Sequence, residues 1–357
     1  MLKSIELTDA GITAAPITAV IPLYNYDKYI ASTIESLLNQ TVRFERIIVV
    51  NDGSTDSSLA VAHRYADKVT VLDYANQGQT AASFSVLDLI ESKYVHFVDA
   101  DDLLCPKMNE VLWSHYKKRY AKIQFMLQGI DRLGQATNSL FPQFPAGYDA
   151  AAMREDNVNA GFYICPPTTG NIYSLEFLKS LNVQLLDPRD STDGVPAMIA
   201  PYFGDVLTVN QPLGYYRVHG DNRSSWDRPT QALLQAEIDM FSRRWLEAAA
   251  LIPNLPPPAS DCQFLAERKL FSRALSERVS AQQVLSYIHS ISRTKTRGGR
   301  RLAMAGAAGL LAVLPSKGRR KVIYALRSPI NRNRAINALI VATRRARLMH
   351  AMRPRPI

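Results

Sequence analysis

The sequence predicts an α/β protein with a mostly parallel sheet flanked by helices and a helical, basic C-terminal extension. Apolar strand-like runs alternate with amphipathic helical segments over the first hundred residues, which is the pattern of βαβ units. Acidic or amide side chains directly follow several of these runs, and ligands in open α/β sheets bind outside the carboxyl ends of the strands. Excess positive charge is confined to the residues beyond 290.

The first predicted strand is Ile17–Ile21, a β-branched run that Pro22 is expected to end. An amphipathic helix is predicted from about Tyr29 to Asn39, and Ile47–Val50 is the second strand. The remaining predicted elements are a helix to about Tyr65, a strand at Val69–Leu72, a helix to about Ile90 and a strand at Tyr94–Val98.

Three carboxylates, those of Asp99, Asp101 and Asp102, follow the last of these strands. Carboxylates this close in sequence repel each other unless a cation joins them. Mg²⁺ and Mn²⁺ prefer oxygen ligands and often share coordination between one or two carboxylates and substrate phosphates. The pattern indicates a site for a metal-bound diphosphate, although the triplet taken alone favours a solvated acidic turn.

Five segments occur in a characteristic order, namely Val20–Asn25, Val49–Asp56, Asn76–Gly78, Phe97–Asp102 and Leu213–Ser224. Together they resemble the family 2 inverting glycosyltransferases of the GT-A fold. The resemblance implies a nucleotide-sugar donor, with a UDP-sugar as the first expectation, and Mn²⁺ or Mg²⁺ as cofactor. It extends over about residues 17–225.

The resemblance also implies the residues of the donor side. Asp52 would hydrogen-bond the nucleobase, Asp99 would contact the ribose or the metal, and Asp101 would hold the metal against the diphosphate. The alternative for Asp52 is a turn aspartate that caps the next helix, a role that suits Asp56 better. The other implied donor-side residues are Pro22, Tyr24, Asn25, Gly78 and Ala100.

The implied catalytic base is Asp193. An acceptor hydroxyl is a weak nucleophile and needs a carboxylate as general base. Thr192 precedes Asp193 where the family usually has an acid, which leaves Asp190 as an alternative. The structural alternative is that Asp193 caps a helix beginning near Val195.

The segment Pro166–Asn171 resembles the acceptor-side loop of the family, and a plain turn entering the next strand is its alternative. The implied acceptor-binding residues are Asp102, Thr169, Gly170 and Asn171. Asp102 has a structural alternative as the cap of a helix after Pro106.

His219 and Arg217 lie in the last of the five segments. A histidine from this segment completes the metal site in some relatives, and the alternative is a purely structural histidine. Arg217 would contact the diphosphate or form a structural ion pair.

Composition favours a folded cytoplasmic protein. The 357 residues are 47% hydrophobic, which is enough for a substantial core. Cys105, Cys165 and Cys262 have no metal-ligand spacing, so reduced thiols are expected. The first 16 residues contain acids and no long apolar run, which argues against a signal peptide.

The C-terminal residues carry the whole charge excess. Seventeen of the 42 Lys and Arg residues lie in 291–357, which has no Asp or Glu, so the preceding residues carry 25 basic and 32 acidic side chains. Leu302–Leu314 is an apolar run that as a helix is roughly 20 Å long, shorter than the ~30 Å of a bilayer core. This run and a stripe at Ile336, Leu339 and Ile340 predict an interfacial segment on an anionic membrane.

The alternative for these residues is a solvated helical appendage that packs on the catalytic domain. Nucleic acid is not an expected partner, since Tyr324 is the only aromatic residue in 291–357. The predicted divisions are 1–16, an N-terminal extension; 17–105, the donor half; 106–228, the acceptor half; 229–290, a helical segment; and 291–357, the basic tail.

These observations predict a metal-dependent hexosyl- or hexosaminyltransferase on the inner face of a membrane. Its acceptor would be a saccharide or a lipid-linked saccharide, in the synthesis of a cell-surface polysaccharide or glycan. The alternative is a catalytically silent protein of the same fold that binds a membrane or a polymer. A nucleotidyltransferase is disfavoured, because no Gly-rich basic loop is present to hold a triphosphate.

Overall fold

The computed structural model describes residues 14–219, 229–294 and 298–327. The described strands are β1 (Ala15–Leu23), β2 (Phe44–Asp52), β3 (Thr70–Tyr74), β4 (Tyr94–Phe97), β5 (Leu103–Leu104), β6 (Lys122–Ile130), β7 (Ala136–Phe141), β8 (Asn171–Ser174) and β9 (Val206–Arg217). The described helices are α1 (Ile30–Leu38), α2 (Ser58–His63), α3 (Gln79–Phe84), α4 (Met108–Leu112), α5 (Ala150–Ala160), α6 (Leu175–Ser180), α7 (Gly194–Ile199), α8 (Gln231–Leu251), α9 (Gln263–Ser276), α10 (Ala281–Ser292), α11 (Gly298–Val313) and α12 (Ser316–Arg327).

The main sheet has the strand order β3-β2-β1-β4-β8-β6-β9-β5. Its first four strands are parallel neighbours, which confirms the predicted βαβ units. Antiparallel pairs follow between β4 and β8, β8 and β6, and β9 and β5. Because β1, β2 and β4 are parallel, their carboxyl ends open at one edge of the sheet.

Pro22 does not end the first strand, contrary to the prediction. β1 pairs with β2 as far as Leu23, whereas β4 ends at Phe97, opposite Val20. The carbonyl of Val20 faces β4, where it accepts from the amide of Val98 at 3.0 Å. Residues of a strand alternate in direction, so Pro22 also faces that side, beyond the last β4 pair. Its missing N–H therefore removes no ladder hydrogen bond.

Two compact units interleave along the chain. The first unit comprises the described parts of Met1–Gln128, Pro166–Asp193 and Phe203–Arg217, and the second those of Gly129–Cys165, Gly194–Tyr202 and Val218–Ile357. In the first unit, α1 packs into the core through Ile30, Ile34 and Leu37, which recur at helical spacing and are buried.

The second unit has its own core, built largely by the long C-terminal helices. Ala303, Ala307 and Leu311 of α11 are buried in the same cluster as Phe271 of α9 and Ile291 of α10. The described residues of the predicted tail therefore pack on the helical segment before them, whereas the packing alternative named the catalytic domain. The stripe at Ile336–Ile340 lies outside the described residues.

Buried polar contacts fix α12 to this core. The guanidinium groups of Arg327 and Arg268 both bind the carboxylate of Glu237 in α8. The Nε of Arg319 donates to the carbonyl of Ala274 at 2.6 Å, at the end of α9. None of the helices in the described ranges is both long enough and apolar enough to cross a membrane.

Candidate functional site

Loops at the carboxyl edge of the first unit's sheet are linked by Asn25. Its Oδ1 accepts from the amide of Thr55 at 2.7 Å, and its own amide donates to Ser54 Oγ at 3.1 Å. Asn25 has a φ of 60°, a left-handed conformation that Asn tolerates better than most residues. Tyr24 beside it is 46% exposed, so simple packing does not account for this side chain.

Asp52 organises the turn that precedes α3. Its two carboxylate oxygens accept from the amides of Gln77 at 2.7 Å and Gly78 at 3.0 Å. Asp56, not Asp52, accepts from the amide of Ser58 at the start of α2, at 2.9 Å. Each oxygen of Asp52 has a second lone pair, so its role at the nucleobase stays a prediction.

Gly78 allows a close backbone approach. It has a φ of 102°, and a Cβ at this position would lie 2.4 Å from the carbonyl oxygen of Pro188. That carbonyl accepts from the amides of Thr80 at 3.0 Å and Ala81 at 3.2 Å, at the start of α3. Any residue larger than glycine would push Pro188 away from these amides.

The segment 187–193, called the base segment below, is held on α3 by two further contacts. Thr80 Oγ1 donates to the carbonyl of Asp190 at 3.0 Å. The hydroxyls of Ser83 and Thr192 lie 2.7 Å apart. Since Ser83 donates to the carbonyl of Gln79, it is left to accept from Thr192. The base segment is thus fixed on α3, and Asp52 holds the turn that precedes the same helix.

The carboxylates of Asp99, Asp101 and Asp102, which follow β4, repel one another and are called the acidic cluster below. Burial, together with the charges of Asp101 and Asp193, raises the pKa of Asp99 to about 8. Burial likewise raises the pKa of Asp102 well above its ordinary value, with added repulsion from Asp101 and Asp99. A cation in this cluster would relieve the repulsion.

Asp102 has a structural position. It is fully buried, and its oxygens accept from Thr169 Oγ1 at 2.6 Å and from the amide of Arg217 at 2.9 Å. It does not cap the helix after Pro106, because Lys107 occupies the N-cap of α4. The geometry also argues against the predicted acceptor contact of Asp102, since its side chain is fully buried.

Arg217 positions the acidic turn from the end of β9. Its Nε donates to the carbonyl of Asp101 at 2.7 Å, and its guanidinium carbon lies 4.9 Å from the ring centre of Tyr29. Thr33 Oγ1 lies 2.8 Å from the carbonyl oxygen of Ala100 and 2.9 Å from that of Asp102, which share its single proton. Buried polar contacts thus hold the backbone of Asp99–Asp102 from two sides.

The predicted acceptor loop is corrected by its geometry, which is that of a turn entering β8. Thr169 is buried, and its hydroxyl accepts from the amide of Asp99 at 3.1 Å while donating to Asp102. Asn171 Nδ2 donates to the carbonyls of Pro166 and Pro167. A Cβ at Gly170 would lie 2.5 Å from a side-chain carbon of Pro166. Thr169 and Asn171 are buried and hydrogen-bond within the protein, which favours the alternative of a plain turn.

Thr168, which the sequence did not single out, connects the acidic cluster to Asp193. Its hydroxyl donates to Asp193 Oδ1 at 3.2 Å and is also within hydrogen-bonding reach of Asp99. Gln79 Nε2 contacts Asp99 Oδ1 at 3.2 Å. Asp190 is buried and accepts from the amide of Ser191, so Asp193 is the better-placed base.

The acidic cluster fits a divalent cation in its chemistry but does not enclose one. Asp99 and Asp101 offer hard oxygen ligands, which Mg²⁺ and Mn²⁺ prefer. Over the described ranges, no three His, Cys, Asp or Glu side chains converge on a complete metal site. Phosphate oxygens of a donor would have to supply further ligands. His219 belongs to the second unit, and its role as a metal ligand stays a prediction.

A sheet whose parallel strands end at an edge with this acidic cluster and a nearby carboxylate is typical of glycosyltransferases of the GT-A fold. The family model "Glycosyl transferase family 2" matches residues 18–177. The uncharacterized glycosyltransferase alr2836 of Nostoc sp. (strain PCC 7120) is 31% identical over 240 residues, which cover 64% of this chain and 73% of the relative. The chain belongs to glycosyltransferase family 2.

Two other similar proteins support this classification. The uncharacterized glycosyltransferase YibD of Escherichia coli (strain K12) is 41% identical over 101 residues, covering 28% of this chain and 29% of YibD. The crystal structure of S. aureus TarS 1–349 in complex with UDP-GlcNAc has a TM-score of 0.50 at 18% identity, and the match covers 87% of this chain and 91% of the TarS 1–349 chain. The TarS similarity shows the fold alone, and it agrees with the predicted GT-A class.

Proposed function

We propose that this glycosyltransferase uses a nucleotide sugar, with a UDP-sugar as donor, and transfers a hexosyl or hexosaminyl group with inversion. The observation that carries the proposal is the acidic cluster at the end of β4, joined through Thr168 to the half-buried carboxylate of Asp193. The carboxylates of Asp99 and Asp101 suit a metal ion bound to a diphosphate. The neighbouring carboxylate of Asp193 suits the deprotonation of an acceptor hydroxyl.

Each group has a distinct chemical task. Asp193 would accept the proton of the acceptor hydroxyl, which then attacks the anomeric carbon from the face opposite the diphosphate. That single displacement inverts the anomeric configuration. Asp99 and Asp101 would hold Mn²⁺ or Mg²⁺, which when bound stabilises negative charge on the leaving diphosphate. Thr168 and the base segment keep Asp193 in place.

The proposed acceptor is a saccharide or a lipid-linked saccharide used in making a cell-surface polysaccharide or glycan. We place the protein in the cytoplasm, peripherally on the inner face of the membrane. Support comes from the three cysteines, which are all thiols, and from the acid-free basic residues 291–357.

Nucleotide binding tests the donor assignment. Calorimetry of the full chain with UDP, GDP and their sugars, with and without Mn²⁺, should show Mn²⁺-dependent binding of a uridine nucleotide. UDP and UDP-GlcNAc come first, because TarS was crystallised with the latter. Asp101→Asn should lose the dependence on Mn²⁺ without a change in folding. Mn²⁺-dependent hydrolysis of the bound sugar nucleotide then distinguishes an enzyme from a silent binding protein. If Asp101→Asn retained the full Mn²⁺ effect, the metal assignment would be wrong.

A further inference from the structure

From Leu302 onward, the helix α11 is apolar on all sides, but only one of its sides is buried. From Leu302 to Leu314 no side chain is charged or able to hydrogen-bond. Ala303, Ala307 and Leu311 face the core of the second unit. A helix that is apolar all round is normally buried all round, whereas a helix at a protein surface normally has a polar outer face.

The outer face of α11 is open. Leu302 is 54% exposed and Val313 is 73% exposed. Gly306 and Gly309 lie between them at helical spacing, and a Cβ at either glycine would meet no atom within 4 Å. These four residues are called the outer stripe. In the described part of the chain, no residue packs over it.

Basic residues follow the outer stripe closely. Lys317, Arg320 and Lys321 of α12 are exposed. Lys317 is four residues from Val313, so the two α-carbons lie within about 14 Å of each other. Arg319 and Arg327 are not part of this exposed set, because their side chains are buried and bind groups inside the unit.

Apolar surface next to basic residues matches one kind of partner. An interfacial helix inserts its apolar face shallowly between lipids while Lys and Arg bind anionic headgroups. No acid in 291–357 opposes such binding. An anionic bilayer binds a surface with an excess of positive charge, whereas a protein partner would not require such an excess.

We propose that the outer stripe is a docking surface for an anionic lipid bilayer, with α11 lying along the membrane plane. The inference deepens the proposed location and names the residues that carry it. It does not require the transferase activity. Since only two large side chains would insert, binding should be reversible and should weaken as salt rises.

Vesicle co-sedimentation of the full chain tests this surface. One set of vesicles is phosphatidylcholine alone, and the other is an equal mixture with phosphatidylglycerol. Wild-type protein should sediment with the mixed vesicles at low salt. Leu302→Ser combined with Val313→Ser should weaken this binding about tenfold or more, since two apolar side chains no longer insert. Leu246→Ser with Leu285→Ser is the matched control, because these leucines are 73% and 64% exposed in the same unit.

Three results would overturn the proposal. Equal vesicle binding by the stripe variant and the control variant would show that the stripe does not insert. A markedly lower melting temperature of the stripe variant, with vesicle binding unchanged, would show that other residues of the chain cover it. A change from dimer to monomer in light scattering would identify a second copy as its partner. Absence of UDP binding in all these proteins would count against the donor assignment and not against the docking surface.

Discussion

The hydroxyl of Thr168 has one proton and two carboxylates within reach, those of Asp193 and Asp99. It can donate to only one of them at a time. In the structure Asp193 accepts at 3.2 Å, and this contact orients its carboxylate. Asp99, whose pKa is raised by burial and by the charges of Asp101 and Asp193, does not receive this proton at the same time, and a cation on the acidic cluster would relieve the repulsion.

Replacing Asp193 by Asn should separate catalysis from donor binding. The variant keeps the size of the side chain but cannot accept a proton, so transfer should slow by about 10²–10⁴-fold. Binding of UDP measured by calorimetry should stay within about twofold of wild type, because the base acts on the acceptor. Asp190→Asn is the control and should transfer at nearly the wild-type rate. Near-normal turnover by Asp193→Asn would place the base elsewhere.

Sequence patterns identified the acids at this site but not the groups that hold them. The aspartates of the acidic cluster follow a strand that its apolar residues make evident, so their place could be predicted. One polar turn contains Thr168, Thr169 and Asn171. Their spacing in the sequence does not show which of these side chains hydrogen-bonds within the protein. The internal hydrogen bonds of Thr169 and Asn171 favour the alternative of a plain turn over the predicted sugar contacts, and Thr168 was not singled out.

At the scale of elements, α3 joins the turn held by Asp52 to the base segment. Asp52 fixes the amides before α3, the first turn of α3 binds the carbonyl of Pro188, and Ser83 binds Thr192. This short helix therefore connects the predicted nucleobase contact to the predicted base. A nucleotide that orders Asp52 should also order the base segment.

Removing one hydroxyl from α3 should disturb the base without disturbing the donor. Ser83→Ala leaves the buried hydroxyl of Thr192 without its acceptor, at a penalty of about 1–3 kcal/mol. We expect transfer to slow roughly fivefold while the affinity for UDP is unchanged, if about half of that penalty appears as displacement of Asp193. Ser85→Ala is the matched control, because Ser85 directly follows the same helix and its hydroxyl donates to the carbonyl of Ala82. Identical kinetics of the two variants would mean that α3 does not position the base.

The apolar run in α11 illustrates what periodicity leaves open at this scale. Its length excluded a span, and the structure agrees within the described helices. A run that is apolar on every side has no preferred face, so the sequence did not indicate which residues enter the core. Packing against Phe271 and Ile291 decides this, and those contacts are distant in sequence.

For the whole molecule, the boundary of the basic residues does not coincide with the boundary of a hydrophobic core. All the positive excess lies beyond residue 290, where the sequence predicted a basic tail. The second unit, however, completes its core with α11 and α12, and Glu237 of α8 binds Arg327 near the end of the described chain. The basic residues are thus part of a folded unit as well as a charged surface.

Removing the basic residues should therefore unfold part of the second unit. A chain ending at Ser290 loses Ala303, Ala307 and Leu311 from the core and exposes Phe271. We expect it to bind a hydrophobic dye, to aggregate and to melt at a lower temperature than a chain ending at Arg327, which keeps α11 and α12. The predicted donor-binding residues all lie in the first unit, so UDP binding provides a separate measure of that unit's folding. Equal melting temperatures and equal dye binding by the two chains would show that the core of the second unit is complete without α11 and α12.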